Sequence, residues 1–192
     1  MVCAQEALVQ LSLDHVELVP FREPPHRELP ADPGADVRLE MCELAAAGDD
    51  RLAVSRIELD RPGPSYTADT LAELRRRAPD DELVLILGGD QAAALPGWHE
   101  PERVLALATV AAAERTDWPR ERIAEAVSGL AGAERIHYFD MPRIDLSSSV
   151  VRDRAARGAP IRYLVPDKVA SYIGTHSLYG ASTPLARAPG AD

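Results

Sequence analysis

Lysine is almost missing from this chain of 192 residues: of its 21 basic side chains only Lys168 is a lysine, and the rest are arginines. Acidic residues outnumber basic ones, 31 to 21, leaving a net charge of -10 and a pI near 5.0. That deficit excludes the broad basic footprint of a nucleic-acid binder. It does not exclude a phosphate ligand, since a few arginines can build a local pocket on an acidic protein. Cysteine is scarce as well. Cys3 and Cys42 form no Cys-x-x-Cys pair, so neither a thiolate metal site nor a disulfide framework is indicated, and a reducing, cytoplasmic setting is expected. No apolar run approaches the ~20 residues of a membrane helix. Met1–Glu6 carries no basic segment of the kind that opens a signal peptide.

Apolar periodicity is plentiful, in a chain that is 46% hydrophobic and long enough for one sizeable core. The spacing predicts helices over 2–12, 37–47, 67–77, 102–107, 121–130, 149–157 and 166–174. Between them lie strand candidates at 16–19, 52–59, 83–87, 109–113 and 136–139. Leu83-Val84-Leu85-Ile86-Leu87 is the strongest, a continuous run suited to a strand buried on both faces, whereas 109–113 is weak. Strands alternating with helices predict an α/β domain over 1–180, with a mainly parallel sheet covered by helices on both faces. Residues 181–192, rich in Ala, Pro and Gly, are expected to be a disordered tail.

In such a sheet the ligand lies beyond the carboxyl ends of the strands, which singles out five loops. After 136–139 comes Ser147-Ser148-Ser149, with Arg152 one turn into the next helix. Free amides at a helix start and a nearby guanidinium suit a phosphate, and the same residues also read as an ordinary serine cap with a surface arginine. After 52–59 comes Pro64-Ser65-Tyr66-Thr67, where Thr67 can cap a helix whose start suits a carboxylate. After 83–87, Gly88 admits close backbone approach and Asp90 can accept ribose hydroxyls or cap the following helix. Trp98 can stack a flat ring or close the core, with His99 beside it. His26 and Arg27, beyond 16–19, and Arg115, beyond 109–113, are either phosphate contacts or solvated side chains; Arg38 is a further candidate. His15, His137 and His176 have no metal-ligand spacing.

Taken in order, these segments resemble bacterial nicotinate-nucleotide adenylyltransferases. The match runs Pro24-Pro25-His26-Arg27, Arg38-x-x-Met41, Pro64-Ser65-Tyr66-Thr67-x-x-Thr70-Leu71, Gly88-x-Asp90, Trp98, Arg115 and Ser147-Ser148-Ser149-x-x-Arg152. Tyr163-Leu164-Val165-Pro166, Tyr172-Ile173 and Leu178-Tyr179 continue it. Each segment is weak alone; the ordered set is specific. The resemblance implies a Rossmann-like nucleotidyltransferase fold and adenylyl transfer from ATP, with Mg²⁺, to nicotinate mononucleotide, in NAD biosynthesis. It implies that the serines and Arg152 hold ATP, and that Gly88 and Asp90 line the nucleotide pocket. Thr67 and His99 would offer amides to the nicotinate carboxylate, with Trp98 stacked on the ring.

One departure is large. The family opens with a strand ending in Gly-x-Phe-Asp-Pro-x-His-x-Gly-His, whose histidines contact the ATP phosphates, and Met1 begins where that motif has just ended. The first strand is therefore expected to be missing. Either translation starts upstream at a non-ATG codon, as the arginine-rich composition favours, or the chain is genuinely short. A related adenylyltransferase acting on phosphopantetheine, or a non-catalytic remnant that binds nucleotide or a partner, are the competing readings. Nothing in the residue pattern fixes the oligomeric state.

Overall fold

The computed structural model describes residues 1–23 and 32–180. Its elements alternate as the periodicity requires: α1 (Val2–Gln10), β1 (Val16–Leu18), α2 (Ala35–Ala46), β2 (Leu52–Val54), α3 (Thr67–Arg77), β3 (Val84–Gly88) and α4 (Gly89–Ala93). Then come α5 (Pro101–Leu107), β4 (Thr109–Glu114), α6 (Arg120–Val127), β5 (His137–Asp140), α7 (Ser148–Ala156) and α8 (Asp167–Thr175). Every ladder between these strands is parallel. Val16 lies opposite Leu52 in a two-stranded piece, β1-β2. Val84 lies opposite Thr109, and Ala111 opposite His137, in a three-stranded piece, β3-β4-β5. Among the described residues β1 and β3 share no ladder.

Side chains alternate across β4, as the period of two dictates. Val110 and Ala112 face the main core with Leu87, against Ala68 and Leu71 of α3, Val104 and Leu105 of α5, and Ile123 and Val127 of α6. Ala111 and Ala113 face the other way, with Phe139, against Ala7 of α1. Helices thus cover both faces. Ile123 has no exposed surface, and truncating it to alanine costs about 2–5 kcal/mol. An adjacent face of α1, Ala4 and Leu8, packs instead with Val16, Ala46 and Leu52. α1 therefore spans the split between the two sheet pieces. A satellite cluster of Val151, Ala155, Ile161, Val169 and Ile173 joins α7 and α8 to Met41 and Leu44 of α2.

Two expectations change. The strand buried on both faces is the alanine-rich β4, whose residues Val110 to Ala113 are at most 1% exposed. Val84, Leu85 and Ile86 of β3 are only half-buried, because β3 forms an edge of its sheet piece. The predicted strand at 52–59 ends at Val54. The Ser55 amide still donates to the Leu18 carbonyl, but the Ser55 hydroxyl then accepts from the Ile57 amide and the chain turns. Residues 24–31 and 181–192 fall outside the described residues, and with them His26, Arg27 and the predicted tail.

Candidate active site

Hydrogen bonds gather the carboxyl-end loops into two groups. In the first, the loop after β1 is tied to the turn after β2. The Arg22 amide donates to the Ser65 hydroxyl at 3.0 Å, the Ser65 amide to the Glu23 carbonyl at 3.0 Å, and the Arg22 guanidinium to the Leu59 carbonyl at 3.2 Å. Arg38 holds this loop from α2, donating to the Phe21 and Arg22 carbonyls, pairing with Asp32 and lying 4.1 Å over the Phe21 ring. It is a clamp rather than a solvated helix arginine, with its side chain 13% exposed.

The same group contains the start of α3. Tyr66, not Thr67, occupies the N-cap position, and no side chain caps the helix. Thr67 is already helical, so its hydroxyl is not placed to cap. The Asp69 and Thr70 amides both donate to the Tyr66 carbonyl at 3.1 Å. The Thr67 amide has no backbone acceptor among the described residues, as expected of a first-turn donor. The Tyr66 ring stacks on His99, centroids 4.2 Å apart and 31° tilted. This contact brings the helix start to the Trp98–His99 loop, and an Asp69–Arg103 ion pair at 3.5 Å reinforces it from α5. Trp98 is half-buried and packs on the main core, while His99 is exposed. The two roles open for Trp98, closing the core and offering a ring face, are compatible in that half-buried position.

The second group lies at the ends of β3, β4 and β5. Ser147 is the N-cap of α7, its hydroxyl accepting from the Val150 amide at 3.3 Å. The Ser148 and Ser149 amides lead the helix, and Arg152 donates to the Ser149 hydroxyl at 3.2 Å. Arg115 donates to the Ile144 carbonyl at 3.1 Å, tying the loop after β4 to the approach to α7. Arg115 also faces Cys3, whose thiol burial pushes up in pKa against the pull of the amino terminus and Arg115. Burial likewise raises the Tyr179 phenol, against the Arg152 charge; Asp32 adds to the rise and Arg38 opposes it. Tyr179 thereby marks the ground between α7 and the Arg38 clamp.

Gly88 ends β3, and Asp90 follows in the first turn of α4, exposed and not capping it. The glycine with no room for a side chain is its neighbour, Gly89. A Cβ there would lie 2.6 Å from the Trp118 Cβ and 3.2 Å from the Ala113 carbonyl oxygen. The Gly-Gly pair is the visible signal of this tight spot in the sequence, although it does not say which of the two glycines is confined. A second feature escaped sequence reasoning altogether. Glu58 and Thr70 are buried and hydrogen-bonded to each other at 2.7 Å, with Arg61 donating to Thr70 at 2.9 Å. Only the fold reveals that Glu58, between Ile57 and Leu59, points inward.

Surface hollows of about 150 and 460 Å³ lie elsewhere, one lined by Leu83, Thr109 and Arg135 at the amino ends of β3 and β4, the other beside β2. The sheet's geometry puts ligand chemistry at the opposite, carboxyl ends. No group of three or more His, Cys, Asp or Glu among the described residues could cage a metal ion. No helix among them is long and apolar enough to cross a membrane.

Comparisons with known proteins bear on the chain's family and fold. A family model described as cytidylyltransferase-like matches residues 1–154. A probable nicotinate-nucleotide adenylyltransferase of Thermus thermophilus is 42% identical over 179 residues, 93% of this chain and 90% of that protein. Its counterpart in Geobacillus thermodenitrificans is 37% identical over 186 residues, 97% of this chain and 82% of that one. The solved nicotinic acid mononucleotide adenylyltransferase of Plasmodium falciparum, complexed with APC, superposes with a TM-score of 0.73 at 15% identity, covering 94% of this chain and 89% of its own. Its complex with NaAD gives the same score. The chain therefore belongs to the cytidylyltransferase-like family, and within it to the nicotinate-nucleotide adenylyltransferases.

Proposed function

We propose that this protein transfers the adenylyl group of ATP to nicotinate mononucleotide, forming nicotinate adenine dinucleotide and pyrophosphate. The observation that carries the reading is the placement of two helix starts, those of α3 and α7, at the carboxyl ends of parallel strands, each with open amides. A helix start favours negative charge, and this reaction brings together a carboxylate and a triphosphate. The α7 start, with Ser147, Ser148, Ser149 and Arg152, takes the ATP phosphates, and Arg115 adds positive charge nearby. Gly88 and Asp90 line the nucleotide side at the end of β3. The α3 start takes the nicotinate carboxylate on the Thr67 amide, the His99 amide joins it, and Tyr66 and Trp98 flank the ring. His26 and Arg27 belong to the phosphate side on sequence grounds.

A phosphate oxygen of nicotinate mononucleotide attacks the α-phosphorus of ATP. The new P–O bond forms as the bond from the α-phosphorus to the bridging oxygen breaks, and that oxygen leaves with pyrophosphate. The chain positions the two substrates and neutralises their charge, the effects that contribute most to rate in such transfers. Mg²⁺ would enter with the triphosphate, held largely by phosphate and water, and the exposed Asp90 carboxylate stands at the strand end where it could assist.

The test is a pyrophosphate-release assay with ATP and nicotinate mononucleotide, with the dinucleotide identified by mass. Formation of nicotinate adenine dinucleotide supports the reading. Turnover of phosphopantetheine in its place, or nucleotide binding without turnover of either acceptor, overturns it.

A further inference from the structure

We infer that Thr70, Glu58 and Arg61 are positioning residues that aim the Thr67 amide, and so set the preference for a carboxylate over a carboxamide on the pyridine ring. The inference rests on the nicotinate mononucleotide reading above. Its ground is a chain of buried polar groups behind the start of α3. Glu58 is 8% exposed and Thr70 5%. The Thr70 hydroxyl has one proton, and it donates this to Glu58 Oε1 at 2.7 Å. Its lone pairs then accept from Arg61 Nη2 at 2.9 Å. The same Nη2 lies 3.4 Å from the Tyr66 carbonyl oxygen.

That carbonyl is the other half of the Thr67 amide. A peptide unit is planar, so fixing the Tyr66 C=O fixes the Thr67 N–H, which points the opposite way. Two helix amides, those of Asp69 and Thr70, would hold the carbonyl in any helix of this kind. The Arg61 guanidinium adds a lateral hold, and Glu58 fixes Arg61 through the Thr70 hydroxyl. Hydrogen bonds weaken steeply away from linearity, so the aim of the Thr67 N–H decides how much a carboxylate gains there. A carboxamide has a single, uncharged acceptor oxygen; facing the Thr67 and His99 amides it can satisfy one N–H donor while its NH₂ meets the other, so it gains less from better aim. Buried ion-containing networks are poor stabilisers compared with apolar packing, so stability alone is a weak reason for this one. Arg61 Nη1 is buried with no partner among the described residues, a further cost of placing the guanidinium here.

The experiment measures binding of nicotinate mononucleotide and nicotinamide mononucleotide separately, by calorimetry, to the 192-residue protein and to Thr70→Ser, Thr70→Val and Arg61→Lys, with Tm for each. Thr70→Ser keeps the hydroxyl and should hold the wild-type ratio of the two Kd values. Thr70→Val keeps the shape and loses the hydroxyl, and should lower that ratio about tenfold, mostly through the acid. Arg61→Lys keeps the charge but loses the fork, and should lower the ratio in the same sense; it carries the test if Thr70→Val does not fold. Variants that lose Tm but keep the wild-type ratio overturn the inference and leave the substrate assignment standing. A wild-type protein without preference for the acid overturns the substrate assignment itself.

Discussion

Tyr66 and His99 stack at 4.2 Å although 33 positions separate them in sequence, and this contact joins the α3 start to the Trp98 loop. Tyr66→Ala should therefore raise KM for nicotinate mononucleotide several-fold and leave KM for ATP close to the wild-type value. Steady-state kinetics with each substrate varied in turn checks this. An equal change in both KM values would mean that the stack supports the fold as a whole.

Arg152 stands one turn inside α7, joined to the Ser149 hydroxyl at 3.2 Å. Arg152→Ala should lower kcat/KM for ATP by on the order of 100- to 1,000-fold, as losing one charge-stabilising donor does, with little change in Tm. A loss within about threefold would identify Arg152 as a surface residue.

Ser147 caps α7 through the Val150 amide. Ser147→Ala should cost about 0.5–2 kcal/mol of stability in a urea melt. Ser147→Asp restores a capping oxygen and hence stability, but it sets a negative charge at the proposed triphosphate position. Recovery of Tm together with a raised KM for ATP separates capping from binding.

Gly89→Ala presses a methyl group to 2.6 Å from the Trp118 Cβ. The expected loss is about 1–3 kcal/mol, from overpacking. Gly97→Ala, where a Cβ meets nothing within 4 Å, is the matched control and should be near neutral. Denaturant melts of the two variants decide it.

Glu73 accepts from Arg76 and Arg77 on the open face of α3, and these hydrogen bonds hold its carboxyl at about 2, below the ordinary 4.5. A depressed folded-state pKa adds stability above the unfolded value and loses it as pH falls through the folded one. The stability difference between wild type and Glu73→Gln should thus be present at pH 7 and fade between roughly pH 4.5 and 2. Glu73 is partly exposed and both arginines lie in solvent, so the difference should be small and should shrink with added salt. Urea melts across that pH range test the sign.

Helix α3 was legible to its last residue. An apolar face at Ala68 and Leu71, an acid in the first turn and arginines in the last all agree, and Pro79 bars any extension. The alternation of strands and helices was legible, but the depth of each strand was not. Leu83 to Leu87 looks buried because leucine, valine and isoleucine dominate it, while Thr109 to Ala113 looks weak because alanine has little strand preference. Burial depends on neighbours instead, and β4 is flanked on both sides while β3 is flanked on one. Of the candidate site, the helix starts could be read because turn residues before α3 and the serine cap of α7 are local signals, although Tyr66 rather than Thr67 holds the N-cap position of α3. The Glu58–Thr70–Arg61 chain could not, because nothing in the spacing of those residues says which of them points inward.

The split between β1 and β3 also bears on how the protein meets copies of itself. Two strand edges without ladder partners among the described residues are a template for a foreign strand. The half-exposed Val84, Leu85 and Ile86 carry no lysine, proline or charge to turn one away. Leu13 and Ile86 each pack into both clusters that α1 touches, so the helix and these two side chains lie over the split. Whether the protein stays clear on standing at high concentration thus depends on how firmly a single helix of nine residues stays seated.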